Sequence, residues 1–213
     1  MENLKAKTYE NLRFRIMTHD LPPSKMLNEK ELMNHYGIGR APLREIFIEL
    51  QRDGLIQRFP RSGTIVAPMD FHLFKQVIEI RTNLEGLAAQ LATERITESE
   101  LEVLRQVLLK VDQYKAEDKD DILSMLTEFE FQFHNILYEA SHNMKLKDIL
   151  HELHGITARF WYYWVFNRQE VLDQFKDHKK LMDALEKRDA KVAREVMIAH
   201  IQNFTSKIVN KIL

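Results

Sequence analysis

Residues that end helices are nearly absent from the later part of this 213-residue chain. No proline follows Pro68, and the glycines beyond residue 63 are Gly86 and Gly155. Proline lacks a backbone donor and glycine carries an entropic cost inside a helix, so a stretch with so few of either favours long helices. Apolar residues recur there at helical spacing, and short polar stretches separate the segments. The predicted helices are about 71–94, 98–115, 121–141, 145–166, 170–187 and 190–211.

The first 69 residues have a different pattern. Apolar spacing and capping residues predict helices over about 4–19, 29–35 and 40–52. Two short β-prone runs, Leu55–Phe59 and Thr64–Ala67, flank the turn Pro60–Gly63, which predicts a hairpin. This order of elements is that of a winged helix-turn-helix. We therefore predict a mainly α-helical protein, with a winged helix-turn-helix domain over residues 1–69 and an all-α, six-helix antiparallel bundle over residues 70–213.

Composition excludes several classes of protein. The chain has no cysteine, which rules out disulfides, zinc ribbons and thiol catalysis. Its longest strongly apolar run, Phe160–Phe166, is far shorter than the ~20 residues that span a bilayer. Residues 1–19 are charged and amphipathic, unlike a secretion signal. We therefore expect a cytoplasmic protein with no membrane partner.

Charge is distributed unevenly along the chain. Residues 1–69 contain 11 Lys and Arg against 8 Asp and Glu, while the remaining residues contain 20 against 24. This asymmetry is weak support for a nucleic-acid-binding front. Arg40 and Arg44 add a chemical reason, since they are four residues apart and share one face of the third predicted helix. The N-terminal end of a recognition helix faces base edges in the major groove, where arginine pairs with guanine.

The predicted hairpin turn is the second candidate DNA contact. Arg61, the hydroxyl of Ser62 and the backbone at Gly63 form a tip that fits a minor groove, because glycine lets the sugar-phosphate chain approach closely. Lys30, at the start of the second helix, is placed for a phosphate contact. The alternative is that these charges are solvated residues of a domain that docks protein or RNA. The combined arrangement favours double-stranded DNA.

Residues 27–67 resemble the DNA-binding domain of the GntR family of bacterial transcription regulators. The residues that carry the resemblance are Leu27, Glu29, Glu31, Leu32, Gly37, Ile38, Gly39, Arg40, Pro42, Leu43, Arg44, Glu45, Leu50, Gly54, Leu55 and Gly63. The resemblance implies the family's mode of DNA binding. Gly39 stands where the family usually has serine or threonine, so a hydroxyl that contacts DNA and caps the recognition helix is missing.

Four residues of the later part form a candidate metal site. Glu130 and His134 are four residues apart, so they lie together on one helix face, while His178 and His200 lie on the last two predicted helices. Three imidazoles and one carboxylate suit Zn²⁺, Ni²⁺, Mn²⁺ or Fe²⁺. By pattern alone, a Glu–His pair at this spacing is more often a surface contact. A histidine on an amphipathic helix is likewise more often exposed, or satisfied in the core.

Residues 71–211 resemble the all-helical effector domain, called FCD, of the FadR-type branch of the GntR family. The matching residues are Arg81, Glu85, Glu130, Phe133, His134, His178, Leu181, Ala184, Leu185 and His200. The resemblance implies a divalent metal ion held by the acid and the three histidines, and a small organic acid effector that completes its coordination. Glu130 replaces the family's usual aspartate, which lengthens that ligand by one methylene group.

A carboxylate effector needs a cation or donor near the ion. Arg81 on the first bundle helix and Arg159 on the fourth are the candidates. The alternative for each is a structural salt bridge, for Arg81 with Glu85 on its own helix. Outside the metal set, we expect His142 and His151 to be surface or cap residues.

Together these features predict a DNA-binding transcription regulator, a repressor by resemblance, that is controlled by a metabolite bound at the metal. A single winged helix-turn-helix covers few base pairs, so we expect a homodimer on a palindromic operator. Two alternatives stay open. One is a helical metal-dependent hydrolase that uses Glu130, His134, His178 and His200 to activate water. The other is a bundle with purely structural histidines that binds a partner protein. The regulator is the favoured interpretation, and we expect no enzymatic activity.

Overall fold

The computed structural model describes residues 2–113, 126–164 and 168–212. The chain divides into two compact units. The first comprises Met1–Phe74 together with His151–Tyr163, and the second comprises Lys75–Leu150 together with Trp164–Leu213. A segment of the later helical region is therefore part of the first unit, a grouping that sequence patterns do not predict.

Three helices and a small sheet form a winged helix-turn-helix in the first unit. The elements are α1 (Glu2–Met17), β1 (Met26–Leu27), α2 (Glu29–Tyr36), α3 (Arg40–Arg52), β2 (Ile56–Phe59) and β3 (Gly63–Val66). Helices α1, α2 and α3 confirm the three helices predicted for this part of the sequence. Their apolar faces meet in a core that includes Leu12, Ile16, Ile46, Phe47 and Leu50, which are all fully buried. Burying side chains of this size contributes about 2 kcal/mol each, so the spacing of these residues determines which helix faces meet.

The helices α2 and α3 differ in how their first turns are capped. The side chain of Asn28 accepts hydrogen bonds from the backbone N–H groups of Lys30 and Glu31, at 3.0 and 3.3 Å. Its Nδ2 donates in turn to Oε1 of Glu31 at 2.9 Å, a reciprocal cap that confirms the start predicted for α2. At the start of α3, Gly39 makes no side-chain cap hydrogen bond. The first N–H groups of α3 therefore lack the acceptor that a serine would supply.

The sheet is antiparallel, with strand order β1–β3–β2. β3 pairs with β2 as the predicted hairpin requires, and Phe59 lies opposite Gly63. β3 also pairs with β1, where Met26 lies opposite Ile65. Sequence patterns do not predict β1, because a two-residue strand has no periodicity and forms through backbone pairing with a distant segment.

The other described elements are helical. They are α4 (Phe71–Arg95), α5 (Glu98–Gln113), a π-helical turn (Leu126–Glu130), α6 (Phe131–Ala140), α7 (Met144–Trp164), α8 (Arg168–Glu186) and α9 (Ala190–Ile212). These helices confirm the six predicted bundle helices over the described residues. Residues 114–125 and 165–167, which the prediction placed partly in helices, lie outside the described residues. Asp70 caps α4 through its side chain, and Thr97 with Glu100 forms a capping box at α5.

Part of α7 packs within the first unit through a close backbone contact. A Cβ atom placed on Gly155 would lie 1.7 Å from the carbonyl oxygen of Asp53. Any side chain at this position would collide with the backbone, so the approach requires glycine. In the same segment of α7, Nη2 of Arg159 donates a hydrogen bond to the carbonyl oxygen of Ala67 at 2.5 Å.

The core of the second unit brings α4, α6 and α7 together. Ala88 of α4, Tyr138 of α6, and Leu146 and Leu150 of α7 form one buried cluster. Tyr138 is almost fully buried, and its hydroxyl is hydrogen-bonded to a charged side chain inside this unit. The packing therefore places one face of α6 in the unit's interior. None of the described helices is both long enough and apolar enough to cross a membrane.

Candidate metal centre and nucleic-acid interface

The N-terminal end of α3 presents two exposed arginines. Arg40 and Arg44 lie one turn apart, and neither side chain forms a hydrogen bond or ion pair with another described residue. The acidic residues of α3, Glu45 and Glu49, are instead paired with Lys5 of α1 at 2.8 and 2.9 Å. The single charge of Lys5 compensates one of these two acids, and Arg40 and Arg44 place positive charge at the N-terminal end of α3, where the helix dipole adds to it. The end of α3 can therefore hold an anionic group such as a phosphate.

The wing tip and the start of α2 present the other predicted DNA contacts. Arg61, Ser62 and Gly63 are exposed at the turn between β2 and β3, where the N–H of Ser62 donates to the carbonyl oxygen of Phe59 at 3.2 Å. Gly63 has a φ of 103°, a conformation that glycine adopts without strain. Lys30 is exposed in the first turn of α2. The six predicted contacts lie at the surface of the first unit, and their role stays a prediction.

Four buried side chains converge in the second unit. Glu130 ends the π-helical turn, His134 lies one turn later in α6, and His178 and His200 lie in α8 and α9. One potential ligand atom from each lies within 4.8 Å of the others. We call these four residues the metal cluster. Packing of the second unit therefore brings together the four residues predicted as metal ligands.

Glu130 is the residue that all three histidines face. Its Oε1 lies 3.1 Å from Nε2 of His134 and 3.9 Å from Nε2 of His200. Its Oε2 lies 3.7 Å from Nδ1 of His178. Glu130 is also the last residue of a π-helical turn, an irregularity that is frequent at functional sites. The carboxylate is therefore held between imidazoles from three helices.

Burial and mutual attraction set the charges of the metal cluster. Burial lowers the pKa of His178 well below its usual value and the pKa of His200 to about 4, so both rings are neutral at pH 7. Burial acts in the same direction on His134, but Glu85 and Glu130 outweigh it and raise the pKa of His134 to about 9. The imidazoles hold the pKa of Glu130 low despite its burial. Metal ligation uses neutral imidazole and ionised carboxylate, so only His134 must release a proton to become a ligand.

Unsatisfied buried atoms show that the metal cluster fits a cation. Oε2 of Glu130, both ring nitrogens of His178 and Nδ1 of His200 are buried without a hydrogen-bond partner among the described residues. Each buried polar atom without a partner costs about 1–3 kcal/mol, so a group of them requires an explanation. Three imidazole nitrogens and a carboxylate oxygen are a donor set for Zn²⁺, Ni²⁺, Mn²⁺ or Fe²⁺. The residues present therefore fit a divalent metal ion.

A second group of polar residues lies behind His134. Arg81 is buried, and its Nε and Nη2 lie 2.9 and 2.8 Å from Oε1 of Glu85. The hydroxyl of Tyr138 donates to the same oxygen at 2.5 Å. Arg81 therefore forms the salt bridge that was the alternative to an effector contact, and its effector role stays a prediction. Sequence reasoning missed Tyr138, although its position four residues after His134 places both on one face of α6.

The other predicted effector residue, Arg159, belongs to the first unit and is buried. Its Nη2 makes the hydrogen bond to Ala67, but its Nε has no hydrogen-bond partner among the described residues. Burial lowers the pKa of Arg159 to about 10. His142 is exposed, as expected, and lies 3.2 Å from Glu100. The expectation of a surface position for His151 is wrong. This residue is buried because its segment of α7 packs within the first unit.

Models of two protein families match the chain. The model described as bacterial regulatory proteins, gntR family, matches residues 4–66, and the FCD domain model matches residues 76–203. The chain belongs to the GntR family. Both resemblances found in the sequence, to the GntR DNA-binding domain and to the FCD domain, are thereby confirmed.

Relatives of this GntR-family chain are regulators. It is 25% identical over 197 residues to the uncharacterized HTH-type transcriptional regulator YdhC of Bacillus subtilis (strain 168), with 92% of this chain and 86% of YdhC covered. It is 27% identical over 200 residues to the HTH-type transcriptional repressor RspR of Escherichia coli (strain K12), with 94% and 86% covered. The chain is therefore a transcriptional regulator and not an enzyme. The hydrolase interpretation of the metal cluster is not supported.

Solved structures share the fold of this GntR-family chain. E. coli McbR/YncC matches with a TM-score of 0.79 at 20% identity, over 99% of each chain. A GntR transcriptional regulator from Rhodococcus sp. RHA1 matches with a TM-score of 0.69 at 16% identity, over 97% of each chain. At these identities the likeness shows the fold alone. That fold is the predicted winged helix-turn-helix followed by a helical domain.

Proposed function

We propose that this GntR-family regulator represses its target genes, and that a small carboxylate metabolite bound at a divalent metal ion controls its affinity for the operator. The observation that carries the proposal is the metal cluster, whose four ligand atoms lie within 4.8 Å of one another inside the second unit. We assign DNA binding to residues 1–69 and metabolite control to residues 70–213. Binding to chromosomal DNA would place this activity in the cytoplasm.

The charges of the second unit favour an anionic metabolite. Glu130 contributes one negative charge to the metal cluster, and the negative charge of Glu85 is already compensated by Arg81 at 2.8 Å. A divalent ion bound there supplies a Lewis-acidic centre with a remaining positive charge for a carboxylate oxygen. The imidazoles add no charge once His134 is neutral. Because the metal ligands of the chain leave positive charge on the ion, the site favours an acid over a neutral metabolite.

The exposed basic residues of the first unit support the DNA contacts. We propose that Arg40 and Arg44 approach base edges and phosphates in the major groove. In the same proposal Lys30 contacts a phosphate, and the wing tip formed by Arg61, Ser62 and Gly63 enters the adjacent minor groove. The absence of ion pairs at Arg40 and Arg44 among the described residues supports this role, because no carboxylate there competes with the DNA.

Two copies of the chain on a palindromic operator complete the proposal. GntR-family regulators usually act as dimers, and a two-fold axis doubles the DNA contacts of one winged helix-turn-helix. Large apolar side chains are exposed in the second unit, among them Ile80 of α4 and Met144 and Ile149 of α7, at 54%, 64% and 47%. Apolar side chains of this exposure are suited to self-association.

The two arginines predicted to bind the effector differ in their freedom to do so. Nε and Nη2 of Arg81 are already taken by Glu85. Arg159 combines burial with an unpaired Nε among the described residues, which is the state expected of a cation that accepts an anionic partner. Of the two arginines, Arg159 is the one with an unpaired donor among the described residues, and its effector role stays a prediction.

Metal analysis together with operator binding tests the proposal. The parent chain, purified without chelators, should carry about one divalent ion per chain, and carboxylic acids should change its operator affinity only in the metal-loaded form. His178→Ala should lose both the ion and the response while still binding DNA. His142→Ala is the matched control, because His142 is an exposed histidine of the second unit outside the metal cluster. A metal-free parent chain with an unaltered response to carboxylic acids would contradict the proposal.

A further inference from the structure

Glu85 is a buried carboxylate that the proposed metal centre does not use as a ligand. It is 0% exposed in the interior of the second unit. Its two oxygens have different surroundings. Oε1 accepts hydrogen bonds from Nε of Arg81 at 2.9 Å and from the hydroxyl of Tyr138 at 2.5 Å. Oε2 has no hydrogen-bond partner within the described part of the chain, and it faces Nδ1 of His134 at 3.4 Å.

The ring of His134 lies between two carboxylates. Its Nε2 faces Oε1 of Glu130 at 3.1 Å, inside the metal cluster, and on the other side its Nδ1 faces Oε2 of Glu85 and the hydroxyl of Tyr138, each at 3.4 Å. A neutral imidazole that binds an ion through Nε2 carries its proton on Nδ1. In metal sites, a carboxylate that accepts this proton fixes the orientation of the ring and strengthens the ligand. Glu85 is positioned to do both.

The other two histidines of the metal cluster lack such a support. Nδ1 of His200 lies 3.9 Å from Oδ2 of Asp177, beyond hydrogen-bond distance. Neither ring nitrogen of His178 has a hydrogen-bond partner among the described residues. His134 is therefore the ligand whose outward nitrogen meets a buried carboxylate.

Arg81 and Tyr138 hold Glu85 next to Nδ1 of His134, on the side of the ring that faces away from the metal cluster. A buried carboxylate without a counter-charge is strongly unfavourable, and Arg81 supplies that charge at 2.8 Å. Because Oε1 is already occupied by Arg81 and Tyr138, Glu85 has only Oε2 to offer, and that oxygen points at Nδ1 of His134. These hydrogen bonds therefore restrict Glu85 to a contact with Nδ1 of His134.

We infer that Glu85 is a positioning residue for the metal ligand His134, and that it sets the affinity of the metal cluster without binding the ion. Arg81 serves this arrangement by neutralising and orienting Glu85. The inference rests on the proposed metal centre, and it assigns a function to a carboxylate outside the four ligands.

Zn²⁺ affinity tests the inference. Glu85→Gln should still bind Zn²⁺ but about 10–100-fold more weakly than the parent chain, as measured by competition with a chromophoric chelator. This variant leaves Arg81 buried without its partner and can fail to fold. The double variant Arg81→Met/Glu85→Gln removes both charges and should show the same loss of affinity. Glu79→Gln, which changes an exposed glutamate of α4, is the matched control and should bind Zn²⁺ like the parent.

Nitrogen NMR separates positioning from a general structural effect. In the Zn²⁺-loaded parent, labelled with ¹⁵N-histidine, the Nδ1 proton of His134 should be protected from solvent exchange by Glu85. In the double variant that signal should exchange faster. Unchanged Zn²⁺ affinity and unchanged proton exchange in both variants would overturn the role of Glu85 and leave the proposed metal centre intact. A parent chain that binds no Zn²⁺ would overturn the metal centre itself, and with it this inference.

Discussion

Gly155 of α7 lies so close to Asp53 that a Cβ atom at residue 155 would sit 1.7 Å from the Asp53 carbonyl oxygen. The neighbouring Gly54 is also confined, though less tightly. A Cβ atom there would lie 2.9 Å from the side chain of Ile156 and 3.0 Å from the carbonyl oxygen of Glu152. The end of α3 and the middle of α7 therefore meet with no side chain between their backbones.

Gly155→Ala is expected to destabilise the first unit by about 3 kcal/mol, because relief of the collision requires a backbone shift. The sign of the change in the free energy of unfolding is diagnostic, because replacing glycine by alanine inside an unconstrained helix stabilises a protein by about 1 kcal/mol. Urea denaturation measures the change, and operator affinity should fall with it. Zn²⁺ binding by the second unit should persist as an internal control. A variant as stable as the parent would show that this contact does not form.

Gly39→Ser is expected to stabilise the chain by about 0.5–1 kcal/mol. Gly39 has φ −81° and ψ 174°, which serine adopts easily, and the nearest atom to an added Cβ is Cδ of Pro42 at 3.9 Å. The new hydroxyl would accept a hydrogen bond from the first turn of α3. The urea midpoint measures the effect, and the variant doubles as the comparison for Gly155→Ala, since both add a side chain to a glycine of the first unit. A lower midpoint would contradict the assignment of Gly39 to the N-cap position of α3.

His19 should make stability depend on pH. Burial, reinforced by the charge of Arg159, lowers the pKa of His19 from 6.5 to about 4. The unfolded chain therefore binds a proton in this range that the folded chain does not, so the free energy of unfolding falls as pH drops from about 6.5 to 4. The ring stacks on Tyr163 with centroids 5.1 Å apart, and its backbone φ is 65°. The stability that His19 contributes is fully present above pH 6.5.

His19→Asn should flatten this part of the pH profile by about 1–2 kcal/mol, because His19 is partly exposed and solvent screens the effect. Asparagine does not titrate here and tolerates a positive φ. Urea midpoints of parent and variant at pH 7, 5.5 and 4.5 give the measurement. If the stabilities of parent and variant depended on pH in the same way, groups other than His19 would account for the loss of stability at low pH.

Arg40→Ala and Arg44→Ala are each expected to weaken operator binding by about 1–3 kcal/mol. Fluorescence anisotropy with a palindromic site selected from random DNA measures the loss, and the salt dependence should become shallower by roughly one ion for each lost phosphate contact. Arg105→Ala is the control, because Arg105 is a half-exposed arginine of the second unit that is paired with Glu102 and Glu186. Full affinity in both α3 variants would remove α3 from the DNA interface.

Elements with a repeating pattern could be predicted from the sequence. The apolar spacing of Ile46, Phe47 and Leu50 predicts both the helix α3 and the face that it buries. Strand β1 and the contact between Gly155 and Asp53 could not be predicted, because each depends on segments that are distant in the chain. Backbone pairing and backbone proximity leave little trace in residue type beyond an occasional glycine.

The candidate site was predictable in part. Helical spacing predicts that Glu130 and His134 meet. The pattern only weakly indicates that His178 and His200 join them, and the family resemblance strengthened that prediction. The same spacing predicts an ion pair between Arg81 and Glu85. It does not predict that the second oxygen of Glu85 faces His134, because that depends on how α4 packs against α6 in the second unit.

Strand β1 ties the wing to the connection between α1 and α2. The N–H of Ser24 donates to the carbonyl oxygen of Val66 at 3.0 Å, and the N–H of Val66 donates to the carbonyl oxygen of Lys25 at 2.9 Å. Sδ of Met26 lies 3.0 Å from where a Cβ of Gly63 would be. The central strand β3 is therefore held along both edges. A bulkier or smaller residue 26 should therefore shift the hairpin relative to the connection between α1 and α2, and in the proposed mode of DNA binding such a shift would change how the wing tip meets the operator.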